Sequence, residues 1–123
     1  MKSLPWRAIP AWLLAAFFLL GGTLNMFASP EILADYDRWG YPSGFNRLTG
    51  LLEWLAALLI LLPRTRFVGS LLGASVMAAA ALTVLLHREY GHAVPPLIVM
   101  SVALLTAALW RPVRRPKGFR PGG

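Results

Sequence analysis

The 123-residue sequence contains no cysteine and only five acidic residues. Without cysteine the chain cannot close a disulfide, ligate a metal or iron–sulfur cluster through thiolate, or run thiol exchange. Any redox role then belongs to a bound cofactor or to a partner. Charged residues make up 14% of the chain against 57% hydrophobic ones, a balance more apolar than a soluble domain carries. No HExxH motif and no phosphate-cradling glycine loop is present. The net charge of +7 is not the footprint of a nucleic-acid binder, because the basic residues fall between and after apolar runs instead of interleaving with aromatics on one surface. No nucleic-acid partner is expected.

What is there is four apolar stretches, about 9–28, 45–62, 67–87 and 95–110. As helices rising ~1.5 Å per residue they approach the ~30 Å hydrocarbon thickness of a bilayer. Pro95 and Pro96 suit the first turn of the last stretch, where a missing N–H costs nothing, and Trp110 closes it at interfacial depth. The link after Pro63 is short enough that the second and third helices must lie side by side. A signal peptide over the first stretch is disfavoured, since a cut after Ala28 would put bulky Met26 where a small residue is wanted. The expected fold is therefore all-α: an integral membrane antiparallel four-helix bundle over residues 1–112, with a short interfacial segment between helices 1 and 2 and a basic tail at 113–123. The tail's Pro and Gly content argues against folded structure there.

Charge placement gives an orientation. Lys2 and Arg7, then Arg64 and Arg66, then Arg111, Arg114, Arg115, Lys117 and Arg120 carry no acidic companions, whereas Arg38, Arg47 and Arg88 are balanced by Glu31, Asp35, Asp37 and Glu89. Under the positive-inside rule both termini are cytoplasmic, and a bacterial-type inner (plasma) membrane is the expected location. The tail then reads as a topogenic signal with an attraction to anionic lipid. In the long outer loop, Ser29 offers an N-cap, Pro30 a first-turn position and Glu31 a charge suited to the helix dipole, so 30–39 predicts a short helix stopped by Gly40. Tyr36, Trp39 and Tyr41 are expected as belt residues at headgroup depth, or as a lid or interface.

Helices in lipid associate through small residues and interhelical hydrogen bonds. Gly69 and Gly73 stand at small-xxx-small spacing in an alanine-rich third helix, which is expected at the centre of the bundle or at a self-association face. Gly21, Gly22 and Gly50 offer similar contacts.

Three polar residues fall in the outer half of the expected bundle: Asn25, Glu53 and His87. Glu53 stands inside LTGLLEWLAALLILLP, which has no wet face, and an intramembrane carboxylate costs a few kcal/mol unless it is paired or protonated. Two readings stay open. Glu53 is a hydrogen-bonded tether to Asn25 or a neighbouring backbone, or it is a proton-exchanging or ligand-binding group in a small pocket. His87 and His92 lie five residues apart around one helix end, unlike haem ligands on facing helices. No metal site is expected, and the histidines read as satisfied interfacial groups near Glu89.

The order of these features resembles the DoxX-like family of small four-helix membrane proteins. The likeness covers about residues 12–112 and is carried by Gly50-Leu51-Leu52-Glu53, the LLPRTR turn at 61–66, the WGYP loop at 39–42 and the alanine-rich third helix. Where the family's first helix often ends in Gly, two apolar residues and Lys, this chain has Gly22 and then Asn25, so the carboxylate stays and the cation is replaced by a neutral amide. The resemblance implies the membrane subunit of a redox or detoxification complex, not catalytic on its own, with Glu53, Asn25 and His87 around a small lipophilic site for a quinone-like molecule and no firmly assigned cofactor. The competing expectation is a non-enzymatic scaffold or assembly factor. In either case the partners are the lipid bilayer and a second membrane protein or another copy of the chain.

Overall fold

The computed structural model describes residues 5–112. The expected basic tail at 113–123 lies outside the described residues, as do residues 1–4. The described chain is all-α: α1 (Ala8–Met26), α2 (Pro30–Arg38), α3 (Phe45–Leu61), α4 (Arg66–Leu86), a 3-10 turn (Tyr90–Ala93) and α5 (Val94–Leu109). Among the described residues three segments are long and apolar enough to cross a membrane: α1, α4, and α5 taken with its leading turn as Tyr90–Leu109. α3, expected as a span over 45–62, is a helix of 17 residues. At ~1.5 Å per residue it reaches about 25 Å, the lower end of the range for a transmembrane helix.

The packing places small residues inside and large ones outside. The buried core holds Ala11, Ala15, Ala56, Ala57, Ala74 and Ala103 around Leu14, Phe18, Ile60 and Met77. Meanwhile Leu13, Leu20, Leu58, Leu82 and Leu104 are exposed. A water-soluble fold would bury those leucines, since each fully buried aliphatic side chain gains roughly 1.5–3 kcal/mol. In lipid the leucines need no burial, and association rests on close approach of backbones.

Glycines mark those approaches. A Cβ on Gly50 would lie 2.7 Å from the Gly22 carbonyl oxygen, and one on Gly22 would lie 2.9 Å from the Gly50 carbonyl oxygen, so α1 and α3 touch backbone to backbone. On α4, Gly69 meets Leu59 and Ile60 of α3, and Gly73 receives the ring of Phe18 from α1. α4 packs against both α3 and α5.

The link from α3 to α4 is fastened by polar groups on the last carbonyls of α3, which have no intrahelical partner. Thr65 Oγ1 donates to Leu59 O at 2.7 Å, and Arg66 Nε donates to Ile60 O at 2.7 Å. The Arg66 guanidinium also lies 4.3 Å from the ring centroid of Trp110. Trp110 Nε1 donates to Arg7 O at 3.0 Å. Arg7 itself stands 5.0 Å from the same ring and donates to Leu109 O. One tryptophan between two guanidiniums thus joins the starts of α1 and α4 to the end of α5, through hydrogen bonds and cation–π contacts.

The far end of α4 closes differently. Glu89 N bonds Val84 O at 2.8 Å and Arg88 N bonds Leu85 O at 3.1 Å, the paired pattern of a Schellman motif. Its left-handed position, usually glycine, is filled by Arg88 at φ 58°. This turn swings Glu89 off the helix and towards α2.

Candidate functional site

α2 forms for the reasons its sequence gives. Ser29 Oγ accepts from Ile32 N at 3.3 Å, Pro30 occupies the first turn, and Trp39 caps the end. Gly40 follows at φ 83°, a left-handed value that a Cβ would strain. None of its residues is buried, so α2 lies on the surface and is held by side chains at a few points.

The first point is Tyr36, whose hydroxyl donates to Asn25 Oδ1 at 2.8 Å. Asn25 Nδ2 in turn donates to Glu53 Oε2 and to Gly21 O, each at 3.2 Å. The three residues come from α2, α1 and α3, and every donor points towards Glu53. Two further details seat the chain. Asn46 Nδ2 donates to Asn25 O at 2.7 Å. Gly21 lacks the Cβ that would lie 2.8 Å from Glu53 Oε2, so the carboxyl can lie against α1. Glu53 is only 3% exposed. Burial raises the pKa of the Tyr36 hydroxyl, which keeps it a donor.

Glu53 and Asn25 stand on the wall of a cavity of about 470 Å³, within the range that holds small organic ligands. Tyr36, Trp39, Tyr41, Phe45, Phe17 and Met77 supply much of the remaining wall, with Thr49, Thr83, Asp35 and His92 as polar neighbours. The aromatics are mutually fixed. Tyr41 stacks on Phe45 at 4.5 Å and 12°, Tyr36 meets Trp39 edge-on at 5.8 Å, and the Tyr41 hydroxyl bonds Thr83 Oγ1. Tyr36, Trp39 and Tyr41 therefore line the cavity from α2 and the turn that follows it.

The second point holding α2 is Glu89. It accepts from Arg38 at 2.7 Å, from Trp39 Nε1 at 2.8 Å and from His92 Nδ1 at 3.1 Å. Arg38 also reaches Asp35 at 2.7 Å. The Arg38 guanidinium, and then the Trp39 N–H, pull the Glu89 carboxyl down to about 2 from an ordinary value of 4.5. A carboxyl depressed in the folded state contributes stability above its unfolded pKa and loses it as the pH falls through the folded value. The Glu89 hold on α2 should accordingly loosen between about pH 4.5 and 2. The expected readout is a rise in amide exchange over residues 30–39 in that window, with no such pH step in Glu89→Gln. An unchanged exchange profile would count against the clasp.

Of the sequence-predicted site residues, Asn25 and Glu53 meet and His87 stands apart. His87 Nδ1 bonds Thr83 O of its own helix at 2.8 Å, and it is not part of the cavity wall, whereas His92 is. The Schellman turn at Arg88 is the reason, because it directs the chain after His87 across to α2 and carries His92 with it. Thr49, Thr83 and Phe45 carry no distinguishing sequence signal and enter the wall only through the fold. Gly50, Gly69 and Gly73 lie at helix contacts and not at the cavity. Among the described residues no cluster of His, Asp and Glu has the geometry to hold a metal ion.

No curated protein and no solved structure matches the chain. The family model for the DoxX-like family matches residues 9–107, which takes in α1 through nearly all of α5 and every side chain of the cavity wall named above. The chain belongs to the DoxX-like family.

Proposed function

We propose that this chain is the membrane subunit of a redox or detoxification complex, holding a small quinone-like lipophile in the cavity beside Glu53. α3 completes an antiparallel four-helix bundle with α1, α4 and α5, its ends extended by the polar residues around it. Residues 1–112 form that domain and 113–123 its cytoplasmic tail. Both termini face the cytoplasm of a bacterial-type inner membrane, and the cavity opens in the outer half with α2 at the interface. The observation that carries this reading is the Tyr36–Asn25–Glu53 hydrogen-bond chain, which brings convergent polar groups to one side of an otherwise apolar and aromatic cavity. A few polar groups in an apolar hollow are the general form of a small-molecule site. With no cysteine in the chain, electrons would be delivered by a partner subunit, and this chain would bind and orient the lipophile without catalysis of its own.

Native mass spectrometry with lipid extraction, on protein purified gently from its own membrane, tests the reading. A stoichiometric quinone that is lost in Glu53→Ala is the expected result. An empty bundle carrying a second polypeptide would overturn it in favour of a non-enzymatic scaffold or assembly factor. The observation favouring that second reading is α2, which has no buried residue and exposes Leu33.

A further inference from the structure

Within the reading of the cavity as a lipophile site, on which this inference rests, the wall chemistry bears on the charge of the occupant. Glu53 is almost wholly buried, and its hydrogen-bond partner among the described residues is the neutral amide of Asn25, on Oε2. Oε1 has no partner among the described residues, and none of the ion pairs there involves Glu53. The other charged groups at the wall are already engaged. Asp35 is paired with Arg38, and His92 is turned to Glu89. Among the described residues no Lys or Arg side chain lines the cavity. Tyr36, Trp39, Tyr41 and Phe45 line the same cavity as the carboxyl.

Aromatic faces carry negative quadrupole density and attract cations, most strongly where water is excluded. A buried carboxylate without a counter-ion is costly, and a ligand that brings the missing charge removes that cost. An anionic ligand meets repulsion from both features, whereas a cationic one is attracted by both. We propose that the cavity binds a lipophilic organic cation, an aryl-substituted ammonium or phosphonium, with Glu53 as its counter-ion and the Tyr36–Trp39–Tyr41–Phe45 wall as its aromatic cage. Asn25 positions the carboxyl without neutralising it.

The test uses the full chain in phosphatidylcholine nanodiscs, with radiolabelled methyltriphenylphosphonium as probe and a short-chain neutral quinone as competitor. The unmutated protein should bind the phosphonium saturably at one site, with the quinone displacing it. Glu53→Gln, which keeps the side-chain shape, should weaken binding at least tenfold. Asn25→Lys places an ammonium where the amide now stands and should abolish binding, whereas Glu53→Asp should retain it. Thermal melts report whether each variant is folded, and if Glu53→Gln is not, Asn25→Lys and Glu53→Asp decide. Equal phosphonium binding by the unmutated protein and Glu53→Gln would overturn the proposal. Quinone binding with no phosphonium binding by the unmutated protein would overturn it while leaving the lipophile reading intact. Binding of neither probe would remove both.

Discussion

Gly50→Val is expected to cost about 3 kcal/mol and to lower the melting temperature by about 10 °C, the upper end of what overpacking does. The reason is the identity of the obstructing atoms. A Cβ at this position would lie 2.7 Å from the Gly22 carbonyl oxygen and 2.9 Å from the Met26 nitrogen. Both belong to the backbone of α1, so no rotamer change can make room, and α1 must move away from α3 as a body. That movement would also pull Asn25 off Glu53, one turn away on each helix. Gly21→Ala meets a milder obstacle, because its nearest neighbour is the end of the Glu53 side chain, at 2.8 Å. Gly91 has no atom within 4 Å of a built Cβ, so Gly91→Ala should change stability by less than about 0.5 kcal/mol. Thermal melts in one detergent separate the three, and a Gly50→Val protein as stable as Gly91→Ala would mean that α1 and α3 do not cross at these glycines.

The same contacts show what a linear sequence discloses. Local signals were readable: the Ser29 cap, the Pro30 first turn and the Gly40 stop define α2 because each acts within a few residues of where it stands. The small residues of α4 likewise announce close packing, since in lipid their chief use is to let backbones meet. The Asn25–Glu53 hydrogen bond was available as one of two readings, because an intramembrane carboxylate needs a partner and few candidates exist.

Features that depend on chain direction were not readable. Arg88 adopts the left-handed conformation normally signalled by glycine, so nothing in the sequence marked the turn that carries His92 to the cavity and leaves His87 outside. A membrane-length window did place the helix expected over 45–62, which runs Phe45–Leu61 between Gly44 at φ 87° and the extended Leu62. The aromatic loop reads as a headgroup belt by composition alone. Its place on the cavity wall comes from Tyr36–Asn25 and Trp39–Glu89 hydrogen bonds spanning 11 and 50 residues, and spacing along the chain does not reveal such pairings.

Asn25→Leu should destabilise the protein by about 2 kcal/mol, and the same substitution in a Glu53→Leu background should cost much less. Asn25 is the middle of the chain, donating to Glu53 and accepting from Tyr36. Its removal therefore leaves a donor and an acceptor unpaired on two other helices. Interhelical hydrogen bonds in membrane proteins average only about 0.6 kcal/mol, so the lost bonds alone do not reach 2 kcal/mol. The remainder is the desolvation of groups left without partners, roughly 1–3 kcal/mol for a buried polar group. With Glu53 already leucine, the acceptor is gone and only the Tyr36 hydroxyl is left without a partner. A double-mutant cycle read by denaturant unfolding in mixed micelles isolates this coupling. Strong coupling would mean that Asn25 is there to satisfy the carboxyl. Simple additivity would instead mean that the two residues act separately, and that the hydrogen bond between them contributes little to holding α1 against α3.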